Sequence, residues 1–244
     1  SLSGDEVREW NHSYDEIGRL ISRSSVTAGL SSHYVYDTNR DGSVCGLGFL
    51  CEEYLGNGRA SYQYRYNLVA GLSGAGKVKE KQIRIASETG VQNTFDLEYG
   101  YTQSGNIETI KYPNDVVVDF DYKEGLLHRV KSGNGEKNYW TANEYSSWGS
   151  LEEVAFGNGV IQDQEYDPDS GQLLSQKAYF SGHETAALQA NKYGFDSRGN
   201  LSYRILEDTG SVADHQKPFR HYREGFSYDS LDRLRKADIF RQPS

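Results

Sequence analysis

An aromatic residue, a short polar turn ending in glycine, and an aliphatic residue two positions later recur from one end of this chain to the other. That repetition leaves few folds open. The clearest copy is Tyr193-Gly-Phe-Asp-Ser-Arg-Gly-Asn-Leu201. Tyr193 and Phe195 share one side of an extended chain, and Leu201, Tyr203 and Ile205 repeat that spacing beyond the turn, as in a β-hairpin. Asp196 can accept hydrogen bonds from backbone N–H groups of its own turn, and Gly199 can take positive φ at little steric cost. A loop of three to five residues with glycine in the left-handed region reverses a strand with a bulge. A single hairpin of this kind is marginal in water, so its meaning lies in the other copies.

Those copies are dense. Tyr14 leads to Gly18 and Leu20, Tyr101 to Gly105 and Ile107, Tyr122 to Gly125 and Leu127, and Tyr145 to Gly149 and Leu151. Tyr166 leads to Gly171 and Leu173, Phe195 to Gly199 and Leu201, and Tyr228 to Leu234, with Asp232 at the glycine position. Aspartate is among the residues that tolerate left-handed backbone. Tyr36-Asp37 opens a related but longer turn through Gly42. Between copies a second set of turns falls at Pro113-Asn-Asp115, Gly133-Asn-Gly135 and Gly157-Asn-Gly159, giving one hairpin per repeat. Tyr62, Tyr64 and Tyr66, then Ile83 and Ile85, then Phe95, Leu97, Tyr99 and Tyr101 alternate as strands do. Residues 181–191 read as an inserted loop or short helix, and residues 208–221 as a long connection. Stacked repeats bury a seam that no single unit could bury.

Composition supports the same reading. Apolar content, counted without tyrosine and with glycine, falls short of the ~45–50% typical of globular domains. Yet 19 Tyr and only 4 Pro in 244 residues favour extensive β-sheet over disorder. The fold class expected is all-β, with repetitive antiparallel hairpins forming a curved or spiral sheet whose faces are wetter than those of a sandwich. The net charge of −9 lacks the basic stripe that phosphate binding needs, so nucleic acid is not an expected partner. No run of 18 apolar residues is present, so no membrane insertion by this segment is expected. The chain starts at Ser1 and contains no Met, which reads as a segment of a longer protein.

The carrying motifs Tyr14-Asp15…Gly18-Arg-Leu20, Tyr166-Asp-Pro-Asp-Ser-Gly-Gln-Leu173, Phe195-Asp-Ser-Arg-Gly-Asn-Leu201 and Tyr228-Asp-Ser-Leu-Asp-Arg-Leu234 resemble the YD repeats of the Rhs family. Tyr112-Pro-Asn-Asp-Val-Val-Val118 and Phe156-Gly-Asn-Gly-Val160 are similar to the pieces between such repeats. The match covers residues 14–240, weakest over 38–95, between an irregular lead-in at 1–13 and a tail at 241–244. The resemblance implies long strands wound into a spiral sheet. In bacterial Rhs proteins and the C component of insecticidal toxin complexes, such a sheet encloses a toxic polypeptide; in teneurins it belongs to a cell-surface adhesion protein. It further implies a secreted or cell-surface location. The partners implied are flanking regions of the same parent polypeptide, including an enclosed toxin domain. The family's autoproteolytic D-P-x-G-L motif is not recognisable, since Asp167 to Leu173 carries an extra residue before glycine and a Gln before leucine. That stretch reads as a turn.

Patterns that could carry chemistry stand along the same chain, each incomplete. Gly71-Leu-Ser-Gly-Ala-Gly-Lys77 satisfies G-x4-G-K, but Val78 stands where a P-loop needs Ser or Thr for Mg²⁺, and a strand pattern follows instead of a helix. Asp37-Thr-Asn-Arg-Asp-Gly42 matches the first half of a calcium loop, yet Gly48 stands at the twelfth position, with Glu52 and Glu53 too far on; an elongated acidic turn is the simpler reading. Cys45 and Cys51 cannot complete a zinc site alone, and a local disulfide and a pair of buried thiols both fit their spacing. His33, His128, His183, His215 and His221 form no metal-binding pattern. Trp140 and Trp148 could stack on sugars, although aromatics at period two chiefly make cross-strand pairs. Asp196 and Arg198 resemble an active-site pair only in isolation, because Asp recurs in the copies and Arg does not. No catalytic, cofactor-binding or metal residue is expected. The chain reads as a non-catalytic structural segment, with a module binding glycan or a cell-surface receptor as the alternative.

Overall fold

A computed structural model describes residues 9–87, 89–208 and 220–241. The chain forms two compact units, residues 1–119 and 120–244. The first contains β1 (Trp10–Tyr14), β2 (Leu20–Ser25), β3 (Leu30–Thr38), β4 (Val44–Leu55), β5 (Ala60–Tyr66), β6 (Val78–Ala86), β7 (Gln92–Tyr101) and β8 (Ile107–Lys111), with β9 (Val117–Lys123) running across the sequence boundary. The second contains β10 (Leu126–Ser132), β11 (Asn138–Tyr145), β12 (Leu151–Phe156), β13 (Val160–Tyr166), β14 (Leu173–Phe180), β15 (Ala187–Phe195), β16 (Leu201–Asp208), β17 (Arg220–Tyr228) and β18 (Leu234–Arg241). Within each unit every strand pairs antiparallel with the next in sequence. No helix occurs among the described residues. The expected all-β architecture of repeated antiparallel hairpins is what the chain adopts.

Period-two patterning sorts the first unit into two unlike faces. Tyr62, Ile83 and Phe95 lie opposite one another across three strands, as do Tyr64, Lys81 and Leu97. On the other face Arg65, Glu80, Glu98 and Lys111 form one row, with Arg65 and Lys111 pairing the two glutamates at 3.0 and 3.3 Å. Full burial is rare. In the second unit Ala142 and Val154, opposite each other on β11 and β12, are buried, as are Tyr179 and Ala187 on β14 and β15. Burial, reinforced by a hydrogen bond to Asp163 at 3.1 Å, pushes the Tyr179 hydroxyl up to about 12. Sheets this thinly covered need few apolar residues, which accounts for the composition.

Two open alternatives are decided and the weakest stretch of the repeat is accounted for. Residues 181–191 contain no helix: turns occupy 181–186, Lys177 Nζ donates to the Glu184 carbonyl, and Ala187 already belongs to β15. Cys45 and Cys51 are joined as a disulfide with Cα atoms 5.6 Å apart, both nearly inaccessible to solvent. The weak stretch 38–95 is regular sheet interrupted by two enlarged turns, whose length had obscured the repeat. Residues 1–8 of the lead-in, nearly all of the 208–221 connection and residues 242–244 of the tail lie outside the described residues, while β1 begins at Trp10.

Candidate functional site

The repeated unit is a box closed by a cross-strand pair at its mouth. Tyr14 lies opposite Leu20, Tyr101 opposite Ile107, Tyr145 opposite Leu151, Tyr166 opposite Leu173, Phe195 opposite Leu201 and Tyr228 opposite Leu234, each beside a bulge. The turn inside is built one way. At 196–200 the Asp196 N–H donates to the Asn200 carbonyl at 2.9 Å and the Gly199 N–H to the Asp196 carbonyl at 3.0 Å. Residues 15–19, 102–106, 146–150 and 229–233 repeat both bonds. Gly18, Gly105, Gly149 and Gly199 hold φ between +78° and +86°, and Asp232 takes the same place at +57°.

The residue after the box aromatic caps the turn. Asp196 Oδ1 accepts from the Arg198 and Asn200 N–H groups, both at 2.9 Å, and Asp229 Oδ1 accepts from Leu231 and Arg233 at 2.9 and 3.0 Å. Thr102 and Ser146 use hydroxyl oxygens for the same purpose. Donated backbone N–H groups hold the Asp15, Asp167, Asp196 and Asp229 carboxyls below the usual carboxylate range. The copy at Tyr122 is a different device. Glu124 and Gly125 both have positive φ, at +54° and +85°, so a two-residue turn replaces the longer one and the spacing shortens by one.

Two boxes are enlarged. Tyr36 lies opposite Leu50, so the loop between them encloses a small hairpin whose turn is 39–42. The turn that runs through Gly42 thus opens at Asn39, two residues later than the Tyr36-Asp37 pair expected to open it. Tyr66 lies opposite Val78, and the glycine-rich stretch 71–77 is the interior of that box, with the Asn67 N–H donating to the Lys77 carbonyl at 2.9 Å. A strand follows Lys77, and the P-loop resemblance ends there. The box at Tyr66 was missed in the sequence; Tyr66-Asn67 was its one signal, since Asn and Asp make the same kind of turn.

Adjacent boxes are stitched together by their tyrosines. Tyr36 Oη donates to the Leu20 carbonyl at 3.1 Å, Tyr66 Oη to Leu50 at 2.8 Å, and Tyr101 Oη to Val78 at 2.5 Å. In the second unit Tyr145 Oη donates to Leu127 at 2.5 Å and Tyr228 Oη to Leu201 at 3.0 Å. In every case the acceptor is the aliphatic residue that ends the preceding box. Phe195 has no hydroxyl to give, and Tyr166 Oη bonds Gln164 instead. Charged rungs run beside this row. Arg19 Nε donates to its own Asp15 at 2.7 Å, while its two terminal nitrogens grip Asp37 of the next box at 3.1 and 3.0 Å. Arg198 and Asn200 reach Asp232 of the following box at 3.0 and 2.9 Å.

The remaining candidates divide among structural tasks. Asp37 is held by Arg19 and by the Gly48 N–H at 2.6 Å, whereas Asp41 bonds Ser43, so the proposed calcium ligands face different partners. Among the described residues no cluster of three or more His, Cys, Asp or Glu side chains could hold a metal. Glu52, fully buried, receives Arg40 Nη2 at 2.6 Å and Nε at 3.0 Å, and Arg40 also lies 4.0 Å over the Tyr54 ring. Asp196 and Arg198 do not act as a pair: one caps its turn and the other pairs with Asp232. Trp140 lies opposite Phe156, while Trp148 is exposed in its box turn. A shallow groove lies between two hairpin turns, lined by Glu136, Lys137, Asn138, Tyr139, Phe156 and Asn158.

No protein-family model and no curated protein matches the chain. Solved structures do. A crystal structure of TcdB2-TccC3 matches 95% of this chain with a TM-score of 0.58 at 15% identity. The structure of the Photorhabdus luminescens Tc holotoxin pore matches 95% with a TM-score of 0.57 at 14% identity. The chain spans 15% of the length of either. These likenesses are of fold.

Proposed function

We propose that this chain is a stretch of Rhs-type wall: a non-catalytic, YD-repeat sheet that encloses or presents another part of its own polypeptide, in a protein that is secreted or displayed at the cell surface. The observation that carries this reading is the box row, in which one turn design and one tyrosine rung recur along the chain. The likeness in fold to toxin-complex chains, across 95% of the residues, supports it. So does the use of the turn aspartates: Oδ1 of Asp196 and of Asp229 each accepts two backbone N–H groups of its own turn, and Oδ2 accepts from Asn200 or Arg233 of the same turn. Limited proteolysis of the complete polypeptide containing this segment is the test. A protected fragment that becomes cleavable once the sheet is unfolded is the expected result; cleavage of every flanking region at the rate of the free peptide would overturn it.

A second reading has its own observation. Tyr139 and Phe156, both exposed, line the groove between the 132–138 and 156–160 turns together with Lys137 and Asn138. Rings beside amide and ammonium donors are what a sugar needs. Binding on a glycan array, lost in Phe156→Ala, is the outcome this reading requires.

A further inference from the structure

The two enlarged boxes differ from the others in composition. Gly42 to Cys51 and Tyr66 to Gly76 contain no Asp, Glu, Lys or Arg, in a chain where these make up 25% of the residues. The two loops touch. A Cβ on Gly46 would lie 2.8 Å from Leu68 Cδ2 and 2.9 Å from Phe49 Cδ2, and the Phe49 and Tyr66 rings stand 4.4 Å apart. Together they make one charge-free lobe at the box edge of the first unit. Its exposed large side chains are aliphatic: Val44, Leu47, Leu68, Val69 and Leu72, with Leu47 89% exposed. Boxes precede and follow these two in the same unit, at 14–20 and 101–107, so the exposure does not depend on where the chain begins or ends.

The lobe holds its own shape. The Cys45–Cys51 disulfide closes the loop that carries Leu47, and Asp37, itself gripped by Arg19, accepts from the Gly48 N–H. In the second loop the N–H groups of Asn67, Leu72, Ala75 and Gly76 find carbonyls within the box, and Asn67 Nδ2 donates to the Ser73 carbonyl at 2.7 Å. Backbone groups satisfied internally are what allow a loop to enter an apolar phase. The charges around the base are engaged elsewhere: Asp37 with Arg19, Arg40 with Glu52 and Arg65 with Glu80, while Asp41 faces Arg84. Lys77 lies over the Tyr101 ring, and Lys79 follows it on β6. Protein interfaces draw their affinity from Trp, Tyr and Arg and under-use Leu and Val. A projecting aliphatic tip without such anchors fits a fluid apolar phase better than a shaped partner. We propose that the lobe of residues 42–51 and 66–76 dips into the surface of a lipid bilayer, with Leu47, Leu68, Val69 and Leu72 among the acyl chains and the sheet in water. Contact of this depth needs no spanning run. Lys77 and Lys79 suit a headgroup phosphate, and the net charge of −9 turns the chain from strongly anionic surfaces, so the bilayer addressed is zwitterionic. This goes beyond the wall reading and does not depend on it.

Flotation with an excess of phosphatidylcholine vesicles tests it. The parent should float with the vesicles as fully in high salt as in low, because burial of aliphatic side chains is not screened. Leu47→Glu should abolish flotation, and Leu47→Ala should weaken it about tenfold. Both should keep the parent melting temperature, since Leu47 is exposed. Leu47→Trp should shift its emission to shorter wavelength when vesicles are added and be quenched by brominated acyl chains. Val91→Trp, in the turn at the far end of β6, should do neither. Protein left unfloated, flotation unchanged in Leu47→Glu, or flotation with anionic lipid alone that is lost in salt would each overturn the proposal. Self-association without flotation, abolished in Leu47→Glu, would also overturn it and assign the lobe to a protein partner.

Discussion

Tyr36, Tyr66, Tyr101, Tyr145 and Tyr228 each work at both ends of the side chain. The ring packs opposite an aliphatic partner at the mouth of the turn, and the hydroxyl satisfies a backbone carbonyl one hairpin away. Phenylalanine can do only the first, which makes Tyr228→Phe and Phe195→Tyr opposite experiments. Losing the Tyr228 bond to Leu201 should cost about 0.5–1.5 kcal/mol, while adding a hydroxyl at residue 195 supplies a rung toward Leu173 and should raise stability. Equal melting temperatures for both variants and the parent would show that the rungs contribute nothing. The turn aspartates make a second statement at this scale. Their carboxyls are held below the unfolded value of about 3.9, so the unfolded chain binds protons first on acidification. Stability from these caps is complete above that value and is lost as pH falls through the lower folded ones. The melting temperature should therefore drop below about pH 4, and Asp196→Asn should reduce the steepness of that drop. A melting temperature that stays level from pH 5 to 2 would deny the caps any share in stability.

Hairpins are the elements in which this chain is written, and how legible each was depended on its turn. Boxes with the usual four-residue spacing, such as Phe195 to Gly199, were readable because aromatic, glycine and leucine sit at fixed offsets. Boxes at Tyr36 and Tyr66 were obscured because the mouth pair survives while the interior grows, and sequence offsets record only the interior. The Asn-Gly turns were placed correctly. Their chemistry was less predictable, for at Asn134-Gly135 and Asn158-Gly159 only the glycine has positive φ, and the turn with two positive residues is Glu124-Gly125. Cross-strand electrostatics could not be read without the register. Glu144, Glu153 and Asp163 prove to lie directly opposite one another across three strands, with Lys177 next in the row but donating to the Glu184 carbonyl. Like charges facing across a sheet destabilise by about 0.2–1 kcal/mol. Glu153→Gln, which keeps the acceptor for Asn143 at 2.6 Å, should thus raise the melting temperature at low salt, and the gain should vanish at high salt. A loss of stability at both would mean that the row is already neutralised.

At the scale of the whole chain, the strand pairings within each unit and the tyrosine rungs among the described residues connect neighbours in sequence. Every pairing within a unit joins consecutive strands, and every tyrosine rung joins consecutive boxes. Such a molecule approximates a one-dimensional array, whose stability is a sum of repeat terms and nearest-neighbour terms. A local injury should then stay local. Gly199 holds φ at +86°, so Gly199→Val forces a β-branched side chain into left-handed backbone. Hydrogen exchange read by mass spectrometry should show protection lost first in β15 and β16, then in β14 and β17, with β2 to β5 unchanged from the parent. A uniform fall in protection across all strands would mean that the sheet unfolds as one cooperative block. The nearest-neighbour account would then be wrong, because a two-state domain distributes the cost of any single turn over all its amides.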